Sequence, residues 1–221
     1  MVFPIKTIIF DFDGTLANTL PVCDYAFQYV FREFDQRELS SAEIRAMFGP
    51  SETGIIRKNL LHLNKDEAIE LYYAKYLEQH PQLVEHNHEI QELLLHLKEK
   101  GIKLGIVTGK ARRSLDISLK ALQMEHFFDA IITGDDVTHP KPDPEGVFKA
   151  LDLLDASPQE AMFIGDSDAD IQAGIQANVL TVGVHWLPDY QTLEFAVAPN
   201  SSYQTVADFM ASLESGVKHE S

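Results

Sequence analysis

Clusters of aspartates follow two of the apolar runs in this sequence. In the first cluster, Asp11 and Asp13 flank Phe12, and Gly14 allows the chain to turn directly behind them. On a continuing strand the two carboxylates would lie on the same face and repel each other, unless a cation lay between them or one kept its proton. Oxygen ligands of this kind suit Mg²⁺. A plain turn after a strand is the alternative interpretation of Asp-x-Asp-Gly taken alone.

The second cluster contains Asp166, Asp168 and Asp170, again directly after an apolar run. Asp166 precedes the next helix, so it is expected to project beside Asp11 if the two strands are close neighbours and to ligate a metal there. Asp168 and Asp170 fall in the first turn of that helix, where negative charge also favours the helix dipole. For Asp168 the dipole interpretation is preferred.

Two further polar segments have residue types that suit an anion. Thr108 and Gly109 end an apolar run and precede a helix, where a hydroxyl and exposed backbone N–H groups can bind an anion. An ordinary helix N-cap is the alternative for Thr108, and alone it is the commoner role. Lys141 lies between two prolines that stiffen the backbone and fix the direction of its ammonium. A solvated loop lysine is the alternative, but rigid presentation favours a function.

The elements that would position these side chains are five short apolar runs. They span residues 7–10, 102–107, 130–132, 161–164 and 179–184. Near-continuous β-branched and aromatic runs predict strands buried on both faces of a parallel sheet. Helical spacing between the later runs, with Asp143 as an expected N-cap and Pro144 at the first helical position, predicts a doubly wound, Rossmann-like α/β fold. Its active crevice would lie at the carboxyl ends of the strands, where the polar residues above are found.

The first crossover is far longer than a crossover helix needs, since about ninety residues separate Asp13 from Ile102. Within it, residues 20–83 show helical spacing and are predicted to form a small helical cap domain, with Pro81 ending its last helix. Residues 1–19 and 84–221 would form the α/β core domain. So small a cap should bury part of its apolar surface against that core.

Composition excludes several classes of protein. The 221 residues suit one domain with a small insertion, and 18 basic against 34 acidic residues give a net charge of −16. This charge argues against nucleic-acid binding, but a metal ion and a few placed cations would still admit a small anionic substrate. Cys23 is the single cysteine, and the apolar run near the N-terminus is too short for a signal or a membrane span. A cytoplasmic protein without a membrane partner is therefore expected.

Four motifs, in order, resemble those of the haloacid dehalogenase-like hydrolase superfamily. They are Asp11-Phe-Asp-Gly-Thr-Leu, Thr108 after the second strand, Lys141 before a proline, and Gly165-Asp166-x-x-x-Asp170. The match is to the phosphoglycolate phosphatase-like branch, whose helical cap is inserted after the first motif. The resemblance covers the core from residue 7 to about residue 184, and four ordered motifs at strand ends are far more specific than one.

The resemblance implies a Mg²⁺-dependent phosphatase that hydrolyses a small phosphomonoester through an aspartyl-phosphate. Asp11 would be the nucleophile, and Asp13 would be the general acid and then the general base. Asp11, the backbone carbonyl of Asp13 and Asp166 would hold Mg²⁺.

The resemblance also assigns the groups around the phosphate. Thr108, the Gly109 N–H and Lys141 would bind the transferring oxygens, and Asp170 would orient the waters of the metal or Lys141. The partner would be a small phosphorylated metabolite, with phosphoglycolate, pyrophosphate, a nucleoside monophosphate and a sugar phosphate as candidates. The sequence predicts neither the choice among them nor the oligomeric state.

Substrate choice is expected to come from the predicted cap. Arg45, Arg57 and Lys58 flank the loop of residues 48–52, and at least one of them, with Arg57 favoured, is expected to contact an anionic leaving group. Solvation, or pairing with Glu43 and Glu52, is the alternative for each cation.

Two rival functions share this residue set. A phosphoglucomutase-like enzyme would use the same core and transfer the phosphoryl group between sugar hydroxyls. A receiver-like regulatory module also clusters Asp, Thr, Lys and Mg²⁺, but it leaves the long insertion unexplained. Dinucleotide binding is excluded, because no G-x-G-x-x-G follows the first strand.

Overall fold

The computed structural model of the protein describes residues 5–217. Six parallel strands form one sheet in the order β3-β2-β1-β4-β5-β6. The strands are β1 (Thr7–Phe10), β2 (Lys103–Val107), β3 (Ala130–Ile132), β4 (Ala161–Gly165), β5 (Leu180–Val184) and β6 (Ser201–Tyr203). The predicted doubly wound α/β sheet is confirmed. The outermost residues of the predicted core, 1–4 and 218–221, lie outside the described residues.

Helices cover both faces of this sheet and fill the long first crossover. They are α1 (Leu20–Asp35), α2 (Ser41–Arg45), α3 (Glu52–Asn59), α4 (Lys65–Leu83), α5 (His88–Glu99), α6 (Arg112–Ala121), α7 (Glu145–Leu154), α8 (Asp168–Gln176) and α9 (Val206–Val217). Helices α1–α4 lie in the segment of residues 20–83, which we call the insertion. Among residues 5–217, no helix has the length and apolarity that crossing a bilayer requires.

Strand β1 is central, and its side chains alternate between the two faces of the sheet. Ile8 and Phe10 pack in one apolar cluster and Ile9 in the other, as the twofold repeat of a strand requires. The cluster of Ile8 and Phe10 continues into the insertion, where it includes Phe27 on α1 and Tyr72 on α4. The insertion therefore shares its apolar interior with one face of the sheet, as expected for helices too few to bury a core of their own.

Two predicted helix boundaries are wrong. Pro81 lies inside α4, which continues to Leu83. A proline removes only its own donor, and the last turn still closes through the Val84 N–H and the His80 carbonyl. Helix α7 begins at Glu145, so Pro144 is its N-cap residue, not its first helical residue.

Strand β6 was not anticipated from the sequence. It is three residues long, lies at the edge of the sheet and contains two serines. A short polar strand at an edge lacks the apolar run that identifies a buried one, so hydrophobic patterning does not detect it.

Candidate active site

Three neighbouring strands end at one edge of the sheet and deliver three of the predicted site residues there. Asp11 follows β1, Thr108 follows β2 and Asp166 follows β4, and β1 lies between the other two strands. The Asp11 N–H extends the ladder by donating to the Ile164 carbonyl at 2.8 Å. A cavity of about 370 Å³ opens at this edge, lined by residues of both the core and the insertion.

Asp11 and Asp170 are buried charges that lie on either branch of an ion pair with Lys141, whose side chain is 11% exposed. The Lys141 ammonium is 3.0 Å from Asp11 Oδ1 and 2.6 Å from Asp170 Oδ1. The structure thus places Lys141, which belongs to a loop before α7, next to Asp11, which follows β1. The position of Lys141 agrees with the rigid presentation that the flanking prolines predict. It does not agree with the alternative of a solvated loop lysine.

Asp166 is fully buried beside them. Its Oδ1 accepts a hydrogen bond from the Thr15 hydroxyl at 3.2 Å, and its Oδ2 accepts one from the Gln191 N–H at 2.6 Å. Gly14 makes this approach possible: its φ is +80°, and a Cβ there would lie 2.3 Å from Asp166 Oδ2. The turn after β1 therefore requires glycine for both backbone angle and space.

This group holds more negative charge than one lysine can balance. Burial raises the pKa of Asp11 to about 7 despite the opposing effect of Lys141. Burial, with the nearby carboxylates of Asp11 and Asp170, holds the pKa of Asp166 well above its ordinary range. Repulsion among acids in a dry site is relieved by protonation or by a cation.

The residues fit a divalent metal ion. Carboxylate oxygens of Asp11, Asp166 and Asp170 lie within 4.8 Å of one another. Asp11 Oδ1 is buried, and its charged neighbour is the Lys141 ammonium at 3.0 Å. Three crowded carboxylates beside one ammonium leave negative charge that a hard cation would balance, and all-oxygen ligands suit Mg²⁺.

Asp13 lies apart from the three clustered aspartates. Its carboxylate accepts a hydrogen bond from the Thr19 hydroxyl, and the Lys110 ammonium lies 3.1 Å from Oδ1. Its backbone carbonyl, the predicted metal ligand, faces Gln191 Nε2 at 3.5 Å. The two catalytic candidates of the first motif therefore have separate environments, one next to Lys141 and one next to Lys110.

Thr108 and Gly109 line the cavity, as the anion-site prediction requires. Thr108 is not the N-cap of the following helix, since α6 has Ala111 in that position. Its Oγ1 instead accepts the Lys110 N–H at 3.2 Å. A loop of the insertion approaches this turn closely: a Cβ built on Gly109 would lie 3.6 Å from the Gly49 carbonyl oxygen.

Helix α8 uses its three N-terminal polar residues differently from one another. Ser167 is the N-cap and forms a capping box with Asp170. One carboxylate oxygen of Asp170 accepts a hydrogen bond from the Ser167 hydroxyl, and the other accepts one from the Lys141 ammonium. This position is the one expected of a residue that orients Lys141. Asp168 accepts the Ala196 N–H at 2.8 Å, so it holds the segment after β5 as well as facing the helix dipole.

The cations of the insertion are distributed differently from the prediction. Arg57 and Lys58 lie on the exposed face of α3, and Arg57 pairs with Asp66 at 2.7 Å. Arg45 lines the cavity and pairs with Asp24 at 3.0 Å. The preference for Arg57 was wrong, because Ile55 and Ile56 occupy the inward face of its helix and turn it toward solvent.

Sequence reasoning missed several residues at the site. Gln191 and Thr192 line the cavity from an irregular segment after β5, where no motif or periodicity marks a functional residue. Glu52 is buried and contacts Lys110 at 3.3 Å, a pairing across the fold. The only sequence signal for Glu52 was its acidic side chain in the loop of residues 48–52, the loop flanked by the cations expected to contact the leaving group.

Comparison with known proteins identifies the family of this chain. The haloacid dehalogenase-like hydrolase family matches residues 8–184. Pyrophosphatase PpaX of Bacillus mycoides (strain KBAB4) is 38% identical over 183 residues, covering 82% of this chain and 84% of the relative. PpaX of Bacillus thuringiensis (strain Al Hakam) is 34% identical over 206 residues, or 93% and 95% of the two chains.

Solved structures show the same fold. CbbY from Rhodobacter sphaeroides, solved with phosphate, aligns with a TM-score of 0.82 and 24% identity over 95% of this chain and 99% of its own. A predicted phosphoglycolate phosphatase from Haemophilus somnus 129PT aligns with a TM-score of 0.83 and 22% identity, covering 96% and 99%. The matching family, the relatives and the cluster at the strand ends agree, and the chain belongs to the haloacid dehalogenase-like hydrolases as an enzyme of the phosphatase type.

Proposed function

We propose that the protein is a Mg²⁺-dependent phosphatase that works through an aspartyl-phosphate on Asp11. The observation that carries this proposal is the group of Asp11, Asp166, Asp170 and Lys141 at the strand ends, in which three crowded carboxylates lie beside one ammonium. A nucleophilic carboxylate, a place for a divalent cation and a fixed ammonium are the parts that phosphoryl transfer needs.

Asp11, Asp166 and the backbone carbonyl of Asp13 would hold Mg²⁺, whose charge would offset the repulsion between carboxylate and phosphate. Asp170 accepts a hydrogen bond from the Lys141 ammonium at 2.6 Å, and we assign it to orienting that lysine. Lys141, Thr108 and the Gly109 N–H would bind the oxygens of the transferring group. This assignment follows their position in the cavity wall.

The reaction would have two steps. A carboxylate oxygen of Asp11 forms a bond to phosphorus while the bond to the leaving oxygen breaks, and Asp13 donates a proton to that oxygen. A water molecule, whose proton passes to Asp13, then attacks phosphorus while the bond between phosphorus and the Asp11 oxygen breaks. This step releases phosphate and restores the Asp11 carboxylate. Asp13 faces the same cavity, which supports its use in both steps.

We propose that the insertion is a cap domain and that the substrate is a small phosphorylated metabolite, with pyrophosphate the first to test. Residues Arg45, Phe48 and Glu52 of the insertion line the cavity, so the leaving group would lie against them. The names of the PpaX relatives support pyrophosphate. The same insertion argues against a receiver-like module, because the phosphorylated residue of such a module would not need inserted helices beside it.

The test is a phosphate-release screen with pyrophosphate, phosphoglycolate, a nucleoside monophosphate and glucose 1-phosphate, each with Mg²⁺, with Ca²⁺ and with excess chelator. We expect turnover with Mg²⁺, little with the larger and geometrically less strict Ca²⁺, and none with chelator. Equal release in chelator would contradict the proposal. Conversion of glucose 1-phosphate to glucose 6-phosphate without phosphate release would favour the mutase alternative.

A further inference from the structure

Lys110 is a buried cation enclosed by groups from several elements. Its side chain has no exposed surface, and its ammonium lies 3.1 Å from Asp13 Oδ1 and 3.4 Å from Asp13 Oδ2. The same nitrogen is 3.3 Å from Glu52 Oε1 and 3.3 Å from Cys23 Sγ. An ammonium out of water is costly unless such partners surround it, so this arrangement fixes its position closely.

Glu52 is the partner that comes from α3 of the insertion. Its side chain is 6% exposed, and it accepts hydrogen bonds from the Ala111 N–H and the Ser114 hydroxyl at the beginning of α6. The beginning of a helix favours a carboxylate because its N–H groups and dipole point there. Glu52 is therefore fixed by the core helix that follows Lys110.

The rest of the enclosure also belongs to the insertion. Cys23 lies on α1, and the Tyr76 ring on α4 lies 4.6 Å from the Lys110 ammonium. Three inserted helices thus contribute contacts to one core lysine. If the insertion moved away, the ammonium would lose these partners and gain water in their place.

We propose that Lys110 is a positioning residue for Asp13 and that Glu52 holds Lys110 in that position. The inference rests on the proposed function, in which Asp13 gives a proton to the leaving oxygen. Lys110 and the Thr19 hydroxyl both donate to the carboxylate of Asp13, so its orientation is set from two sides. A general acid must be held within hydrogen-bond reach of the atom it protonates. Through Glu52, correct orientation depends on the insertion lying against the core.

The consequence is a dependence on the leaving group. A strongly basic leaving oxygen needs its proton during bond breaking, whereas p-nitrophenolate leaves well without one. The probes are therefore phenyl phosphate and p-nitrophenyl phosphate, which differ little in size and strongly in leaving-group basicity. The ratio of their kcat/KM values, measured on one preparation, does not depend on the fraction of protein that is folded and active.

The variants are Lys110→Gln and Glu52→Gln, with Tyr76→Phe as the matched control. Tyr76→Phe keeps the ring beside Lys110 and removes the hydroxyl that bonds Ser118 across the contact between α4 and α6. We expect Lys110→Gln to lower the phenyl to p-nitrophenyl ratio by about tenfold or more, a part of the full effect of general acid catalysis. Glu52→Gln should lower the same ratio by a smaller factor, and Tyr76→Phe should leave the ratio unchanged.

An equal loss on both esters in Lys110→Gln would overturn the inference, because a purely structural lysine affects both alike. A lower ratio in Lys110→Gln together with an unchanged ratio in Glu52→Gln would overturn the proposal that Glu52 holds Lys110 in position. A changed ratio in Tyr76→Phe would show that any weakening of the contact suffices, and would also overturn it. Wild-type protein that releases phosphate from neither ester and from no substrate of the screen above would contradict the proposed function itself.

Discussion

The ammonium of Lys141 lies 3.0 Å from Oδ1 of the buried Asp11, and the same nitrogen lies 2.6 Å from Asp170 Oδ1. Asp11 is therefore the one carboxylate of the buried group that meets both a fixed cation and the cavity. This relationship distinguishes it from Asp166, whose oxygens are engaged by Thr15 and Gln191.

Asp11→Asn should abolish turnover, because an amide cannot form the aspartyl-phosphate. Without added metal, the variant should be at least as thermally stable as the wild type, since one of three crowded acids is removed. Phosphate release and a thermal melt of the same sample measure the two effects. Retention of more than about a tenth of kcat, which corresponds to a loss of only about 1.4 kcal/mol of barrier lowering, would contradict the covalent route.

Asp13→Asn should reduce kcat by about 10²–10⁴, the usual contribution of a general acid and base. The fold should survive, since an amide can still accept the Thr19 hydrogen bond. With p-nitrophenyl phosphate, the first step should be less affected than the second, so a burst of nitrophenol equal to the enzyme should precede slow turnover. A linear trace without a burst, at a rate near that of the wild type, would contradict the assigned role.

Gly14→Ala should lose more stability than Gly101→Ala, which serves as its control. Both glycines have positive φ, +80° and +74°, but only the Gly14 Cβ would meet another group, 2.3 Å from Asp166 Oδ2. The shared backbone strain should cost about 1–2 kcal/mol in each, measured by urea unfolding. Gly14→Ala should lose further stability and most of its activity, while Gly101→Ala should keep its activity. Equal losses in the two variants would show that the close approach to Asp166 is unimportant.

Arg45→Ala should lower kcat/KM for pyrophosphate by about ten- to a hundredfold, the value of a charge-assisted contact. Arg45 lines the cavity, whereas Arg57 faces solvent and pairs with Asp66. Arg57→Ala is therefore the control and should change nothing measurable. Both variants should spare p-nitrophenyl phosphate, whose leaving group is not an anion that Arg45 could bind before the bond breaks. An unchanged pyrophosphate rate in Arg45→Ala would exclude this arginine from substrate recognition.

His80 should make stability depend on pH in a definite direction. Burial and the neighbouring Lys110 lower its pKa from 6.5 to about 4, with Asp13 opposing them, and its ring bonds Ser118 at 3.0 Å. The unfolded chain then binds a proton that the folded protein does not, so stability falls as the pH drops from 6.5 toward 4, by up to about 1.4 kcal/mol per pH unit. The slope should be smaller in His80→Gln, measured by urea unfolding at several pH values. Identical slopes would contradict a neutral, buried His80.

The predictable part of this protein is the part whose signal is local. Strand β1 was identified with its observed limits, because a strand buried on both faces must be apolar at every position. Asp11, Thr108 and Asp166 follow from the same logic, since parallel strands that end at one edge bring their next residues together.

The unpredicted part depends on distant segments meeting. Glu52 and Lys110 are ordinary charged residues in sequence, and only the packing of α3 against the beginning of α6 makes them a buried pair. Arg57 was preferred over Arg45 because spacing along the chain does not say which face of a short helix turns inward. Gln191 belongs to a segment without periodicity, so no pattern points to its hydrogen bond with Asp166.

The chain enters the insertion through the segment that carries the proposed chemistry. Thr19 directly precedes α1, and its hydroxyl bonds the carboxylate of Asp13. A rotation of the insertion about this entry point would therefore carry a donor to Asp13 along with it. The second connection, between Leu83 and His88, contains no residue of the cavity wall. The two connections therefore differ, because only the first carries a side chain that bonds the proposed general acid.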